Sequence, residues 1–404
     1  MTLSTGSAPA LPPFSPFAPG SHADPYPAYQ RYREQDPVHW AGPADHSGPG
    51  AWYLFSHAGA MSALKSHNLI QTRMIQAAGP LGAMLGKWML FRNPPDHTRL
   101  RSLVSKAFSP QMAERLRPKI QETADFLLDS VKDKGEMDLM LHYASPLPLI
   151  VISELLGVPA DDRELLRRWT IDIVPAIDFS PSREALMKAT QGCGKLMEYL
   201  QAIIVERRKG PPKEDLISAL IAAEEQDDRL SEEELISMCA LLLGAGHETT
   251  VNLIGNGSYA LLQHPEQLAL LRDDPECVET AVEELLRYDS PVQMAFREVA
   301  EPFELGGKLL RKGEQVIILL GSANRDPEPY PEPNRLDLRR SGPRHAAFGM
   351  GIHFCLGSHL ARLEARAAFR SLAVKMPNLA LQPVPIKRRE GTNFRGLETL
   401  PVSF

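Results

Sequence analysis

The chain has 404 residues, of which 43% are hydrophobic and 23% charged, and a formal net charge of -6 at pH 7. That composition excludes a disordered chain, and the acidic balance argues against a nucleic-acid partner. Four scattered cysteines (Cys193, Cys239, Cys277, Cys355) without any CxxC spacing exclude a disulfide framework, a zinc ribbon and c-type haem attachment, and fit a reducing cytoplasm.

The opening MTLSTGSAPALPPFSPFAPG is rich in proline and small residues and has neither a basic n-region nor a long apolar run. A flexible arm over residues 1–20 is expected, with no signal peptide and no membrane anchor. No linker interrupts the rest of the chain, so a single domain over 1–404 is expected. A helix is predicted over Asp24–Gln35, then two strands, PVHW and AWYLF, around a Gly/Pro loop. Asn68–Leu90 lacks clean periodicity and reads as a loop over a pocket. PPDHTRLRSLVSKAF begins a helix with Asp96 as its cap, and His97 and Arg101 fall four apart on one face. Further helices are predicted over Pro110–Lys134, Ser145–Val158 (a buried one), Asp161–Val174 and Ser182–Arg208.

Ser231–Gln263 reads as one long helix with an acidic start. In its middle lies GAGHETT, Gly244 to Thr250, where each glycine costs about 1 kcal/mol relative to alanine. Small residues there would let a flat ligand approach the backbone, and a threonine hydroxyl bonded to a neighbouring carbonyl would open the helix locally. PECVETAVEELLRYDSP is a helix pairing Glu284 with Arg287 at i, i+3. QMAFREVA, FELGGKLL and GEQVIILLG read as short strands, and the final TNFRGLETLPVSF as a hairpin.

The stretch FGMGIHFCLG, Phe348 to Gly357, places Cys355 among glycines and just before a helix-like run, SHLARLEARAAFR. N–H groups and the macrodipole at such a junction favour the thiolate, the form that ligates metal. Most lone cysteines are merely small buried hydrophobes. Here the spacing Phe-x-x-Gly-x-x-x-Cys-x-Gly fixes four positions at once, with His353 two residues before the sulfur.

This pattern resembles the haem-ligand loop of the cytochrome P450 monooxygenases. The resemblance implies a mainly α cytochrome P450 fold with small β-sheets, haem b (iron protoporphyrin IX) as cofactor and O2 as co-substrate. It implies Cys355 as the axial thiolate on iron, framed by Phe348, Gly349, His353 and Gly357. His97, Arg101 and Arg297 are carried over as propionate ligands, and Ala245 and Gly246 as the small residues over the haem. Glu248 and Thr249 match the acid and alcohol pair that relays protons. Glu284, Arg287 and Arg335 match a structural trio, with Leu336 standing where the family usually has Phe.

Leu241, Leu242, Val292, Met294 and Phe394 are candidate substrate contacts, and Arg73 and Arg395 the candidate anchors for a carboxylate or carrier phosphate. The family's electrons come from an external ferredoxin or flavodoxin with its reductase. Arg99, Lys106, Arg362 and Arg366 are the cations expected to steer such a partner. The phrases MLFRNPPDHTRLR, AGHETTVNLI, ANRDP and LARLEA resemble the bacterial soluble branch that contains macrolide hydroxylases and the biotin-synthesis cytochrome P450. That implies a monomeric cytoplasmic enzyme acting on a hydrophobic small molecule: a fatty acid, an acyl chain on acyl carrier protein, or a macrolide. A thiolate-haem sensor and a peroxide-driven fatty-acid hydroxylase are the alternatives, and the Glu248–Thr249 pair argues against both.

Overall fold

Helices carry most of the chain and small β-sheets brace them. The structure is a computed structural model and describes residues 11–404 except 44, 47, 73–76, 78, 179–180 and 226–229. Arg73 therefore lies outside the described residues. Among the described residues no helix is long and apolar enough to cross a membrane.

The organising element is the helix Glu232–Gln263, 32 residues long. Ser231 opens it with a capping box: its Oγ accepts from Glu234 N at 3.2 Å, while Glu234 Oε2 accepts from Ser231 N at 3.0 Å. Such a cap contributes about 1 kcal/mol. This helix is buried nearly all round, because Pro146–Leu156, Arg183–Lys209 and Ser358–Lys375 pack against it. Gly257 permits the last of these contacts, since a Cβ there would lie 2.4 Å from the Phe369 ring. A five-stranded sheet stands to one side, in the order Val38–Ala41, Ala51–Leu54, Gln315–Leu319, Met294–Val299, Leu69–Ile70. Only the pairing of Ala51–Leu54 with Gln315–Leu319 is parallel.

Several expectations change. Asp96 occupies the first helical position of Asp96–Ala107, and Pro95 is the N-cap, without a side-chain bond. Asn68–Leu90 is more ordered than a loop: it holds strand Leu69–Ile70, helix Gly79–Lys87 and a turn at Met89–Phe91. Pro110–Lys134 divides into Pro110–Arg115 and Arg117–Asp129, because Pro118 lacks the N–H that would continue the first helix. The described part of the N-terminal arm is anchored at Phe14 and Pro16, with most of its other residues exposed. Phe14 is buried, with its ring edge-on to Tyr32 and Phe55 at centroid distances of 5.1 and 5.0 Å. The closing turn is paired earlier than expected, by Arg388 with Leu397, and the end of the expected hairpin is instead strand Pro401–Ser403, between Glu136–Asp138 and Ala380–Leu381.

Candidate active site

One cavity, about 370 Å³, lies between the central helix and the loop before Ser358–Lys375. It gathers Cys355, Phe348, Gly349, His353 and Gly357 below, His97, Arg101 and Arg297 at one side, and Ala245, Gly246, Glu248 and Thr249 above. Leu241, Leu242, Val292, Met294 and Phe394 line the same space. Residues far apart in the sequence thus meet, and the reason is local at each end. Gly244 and Ala245 interrupt the burial of the central helix, and a Cβ on Gly244 would meet nothing within 4 Å. On the opposite side Gly351, at φ +71°, lets the loop turn beneath Leu64, whose carbonyl oxygen a Cβ would approach to 2.5 Å.

Cys355 N donates to Phe348 O at 2.9 Å, and the backbone N–H groups of Gly357 and Ser358 point at the sulfur. Burial raises the thiol's pKa, opposed by these N–H groups and by the Arg101 and Arg362 charges. A metal cation would reverse that balance and bind the thiolate outright.

The side wall carries unbalanced positive charge. Arg297 donates to Gln71 Oε1 and to Phe296 O, and Arg101 to Phe354 O at 2.7 Å, yet neither meets a carboxylate among the described residues. Burial lowers the Arg297 pKa to about 10, which still leaves it charged at neutral pH. His97 lies against His353, with ring centroids 4.2 Å apart and the rings tilted by 51°. Burial, then the fields of Arg297, His97 and Arg101, push His353 down to about 3. Two buried polar atoms facing this space, His353 Nε2 and Trp88 Nε1, have no partner among the described residues. Buried guanidinium groups without counter-charge and orphaned nitrogens are costly unless an anion completes them. A flat cofactor bearing carboxylates on one edge fits these residues, and Cys355 would be the ligand to its metal. Trp88 was not singled out from the sequence. Its only signal is a polar ring tip just before a helix of basic residues.

Above, Thr249 Oγ1 donates to Ala245 O at 2.8 Å and Thr250 Oγ1 to Gly246 O at 3.1 Å. The helix nevertheless runs unbroken through both, so the expected local opening is absent. Glu248 is buried, pairs with Arg389 and accepts from Asn252 Nδ2 at 3.1 Å. Glu364 also reaches the cavity, fully buried and with Oε2 unpartnered among the described residues, and burial raises its pKa well above the usual carboxylate value. Its place in LARLEARAAF, on the face shared by Leu360 and Ala367, could have marked it.

The chain belongs to the cytochrome P450 family. The family model described as Cytochrome P450 matches residues 163–373. The chain is 42% identical over 385 residues to the biotin biosynthesis cytochrome P450 of Bacillus subtilis, covering 94% of this chain and 96% of that one. It is 42% identical over 392 residues to the cytochrome P450 monooxygenase PikC of Streptomyces venezuelae, covering 94% and 91%. Among solved structures, P450BioI in complex with acyl carrier protein ligated to hexadec-9Z-enoic acid superimposes with a TM-score of 0.89 at 41% identity, covering 95% and 99%. This P450 is thus a haem-thiolate monooxygenase that uses O2.

Three placements in the P450 differ from the sequence reading. Glu284 and Arg287 form a buried bidentate pair at 2.7 and 2.8 Å, but Arg335 is not its third member. Arg335 is exposed and faces Glu332 at 3.5 Å. Arg340 approaches Glu284 Oε1 at 3.1 Å and also binds the carbonyls of Pro331, Glu332 and Arg335, so it gathers the turn that carries Arg335 outward. Arg395 is no substrate anchor: it is buried, ion-paired with Asp289, and donates to His22 O and Ala23 O. Asp289 also holds Arg388 at 3.2 Å and the Tyr26 hydroxyl at 2.7 Å. Three of the expected docking cations are paired: Arg99 with Glu234, Arg362 with Glu283 and Arg366 with Glu279. Glu279 and Glu283 on one helix stand four apart opposite Arg362 and Arg366 on another, so the two ladders neutralise each other.

Proposed function

We propose that this P450 inserts one oxygen atom into a C–H bond of a long acyl chain presented as a carrier-protein ester. The electrons come from an external ferredoxin or flavodoxin. The balanced reaction consumes the C–H bond, O2, two electrons and two protons, and yields C–OH and water. Haem, when bound, supplies the redox centre at which O2 is activated. Cys355 would ligate its iron, while His97, Arg101, Arg297 and His353 would hold its carboxylates. Phe348, Gly349 and Gly357 would frame its lower face, with Ala245 and Gly246 close above. Glu248 would take protons from water and Thr249 would pass them into the cavity, which its apolar walls keep otherwise dry. Glu284 and Arg287, with Arg340, would hold the turn that precedes the cysteine loop.

One observation carries the substrate reading. The wall formed by Leu241, Leu242, Val292, Met294 and Phe394 is apolar, and Arg395 is committed to Asp289. Such a wall binds by area, roughly 25 cal/mol per Å² of apolar surface, and among the described residues it offers a free carboxylate no counter-charge. A chain whose carboxyl is esterified suits it better than a free acid. The acyl carrier protein bound to P450BioI supports the same reading. A spin-state titration tests it: long-chain acyl carrier esters should give the high-spin shift at lower concentration than the matching free acids. A macrolide that shifts the spin state when no acyl substrate does would replace this reading with a macrolide hydroxylase.

A further inference from the structure

Glu248 and Arg389 form an ion pair that spans the wall of the cavity. The Glu248 side chain, 4% exposed, borders the cavity, whereas the Arg389 side chain is 35% exposed. Arg389 comes from the C-terminal loop, 141 residues on, and its position is fixed by that loop. Its Nε donates to Leu397 O at 3.2 Å, across the Arg388↔Leu397 pairing. Asp178 accepts from Thr392 N, Thr392 Oγ1 and Asn393 N on the far side of the turn. Asn256 Nδ2 holds Arg395 O at 2.8 Å. An arginine on a loop pinned at so many points is preorganised, unlike a surface arginine free to wander.

The other charged groups near Glu248 are few. His247, its neighbour in the chain, is buried, bonds Ser145 O through Nε2 at 3.3 Å, and is driven towards its neutral form by burial. Arg167, from the helix Arg163–Ile173, acts on His247 from further away. Arg389 is therefore the counter-charge in contact with Glu248 among the described residues.

We propose that Arg389 is the positioning residue of a proton entry port, holding Glu248 as a carboxylate at the boundary between solvent and cavity. The proposal rests on the reading of Glu248 as the proton-carrying acid. In each passage Glu248 accepts one proton from water on the solvent side and releases one inward, ending as it began. The two protons of the reaction enter in two such passages, and the electrons come separately from the external carrier. Without Arg389, a carboxylate this buried would lose the counter-charge that offsets its desolvation.

Holoenzyme variants Arg389→Met, Arg389→Lys and Glu248→Gln test this. The first readout needs no turnover: the infrared carbonyl band of a protonated carboxylic acid, assigned to Glu248 by its loss when Glu248→Gln is added to Arg389→Met. At neutral pH it should be absent from the wild type and Arg389→Lys and present in Arg389→Met. Arg389→Met should also lower product formed per electron pair by roughly ten-fold and raise the solvent deuterium isotope effect, with substrate affinity within about two-fold of wild type. Arg389→Lys should restore coupling. If Arg389→Met lacks the band or couples normally, or if Arg389→Lys fails to rescue, the port is overturned. Should Glu248→Gln itself couple normally, the acid's assigned role falls; if only Glu248→Gln is uncoupled, the role of Arg389 alone falls.

Discussion

Arg362 grips Glu283 by both carboxylate oxygens, at 2.6 and 2.8 Å, while its guanidinium lies 4.4 Å from the centre of the Phe348 ring. One side chain thus ties the helix after Cys355 to the helix Val278–Tyr288 and covers the aromatic that opens the cysteine loop.

That pair makes stability depend on acid. Burial opposes ionisation of Glu283, but the hydrogen bonds from Arg362 and His345 prevail and hold its pKa down to about 2. A carboxyl depressed in the folded state contributes stability above its unfolded pKa, near 4.3, and loses it as pH falls towards the folded value. Because the Glu283 side chain is 39% exposed, screening reduces the contribution to the order of 1 kcal/mol. Wild type should be more stable than Glu283→Gln at pH 7, and urea unfolding should show the gap closing as pH falls from about 5 to 2. A gap unchanged across that window would disprove the linkage.

The two arginines of the meander should behave oppositely. Arg340→Ala removes one partner of the buried Glu284 and frees three carbonyls, at a cost of about 3 kcal/mol. Arg335→Ala removes an exposed contact and should change stability by less than about 0.5 kcal/mol. Denaturant midpoints at constant m-value decide between this order and its reverse.

The reduced carbonyl complex should absorb at the long-wavelength Soret position of thiolate ligation, because Cys355 faces the cavity with two N–H groups supporting its sulfur. Cys355→His should lose that band. Retention of it would move the ligand elsewhere.

Thr249→Ala removes a hydroxyl that, among the described residues, bonds only the Ala245 carbonyl one turn back, so stability should change by less than about 0.5 kcal/mol. Substrate should still shift the spin state, while product per electron pair falls roughly ten-fold and peroxide rises. Normal coupling would mean that the proton does not pass through this hydroxyl.

The local motifs were legible because each carries its own spacing: FGMGIHFCLG and GAGHETT reach one cavity as expected. What stayed hidden depends on where long side chains turn. In the run from Arg335 to Arg340, three arginines lie within six residues, and only the turn's carbonyls decide that Arg340 points inward. Arg395 and Arg389 look alike in sequence, yet one is captured by Asp289 and the other by Glu248. The pairing of Arg99, Arg362 and Arg366 with acids on other helices is likewise set by tertiary packing, which a one-dimensional charge pattern does not contain.

Asp289 holds Tyr26 from one end of the described chain and Arg388 and Arg395 from the other, and Arg395 reaches back to His22 across 373 residues. Contacts this distant in sequence form late, because their loops must close before any bond rewards them. During synthesis the haem-side loop and the central helix are complete before Arg395 leaves the ribosome, whereas the turn bearing Phe394 has no seat until then. The nascent enzyme therefore has a floor and a roof before its last wall, and the cavity that selects a substrate closes only once the segment through Arg395 has been made.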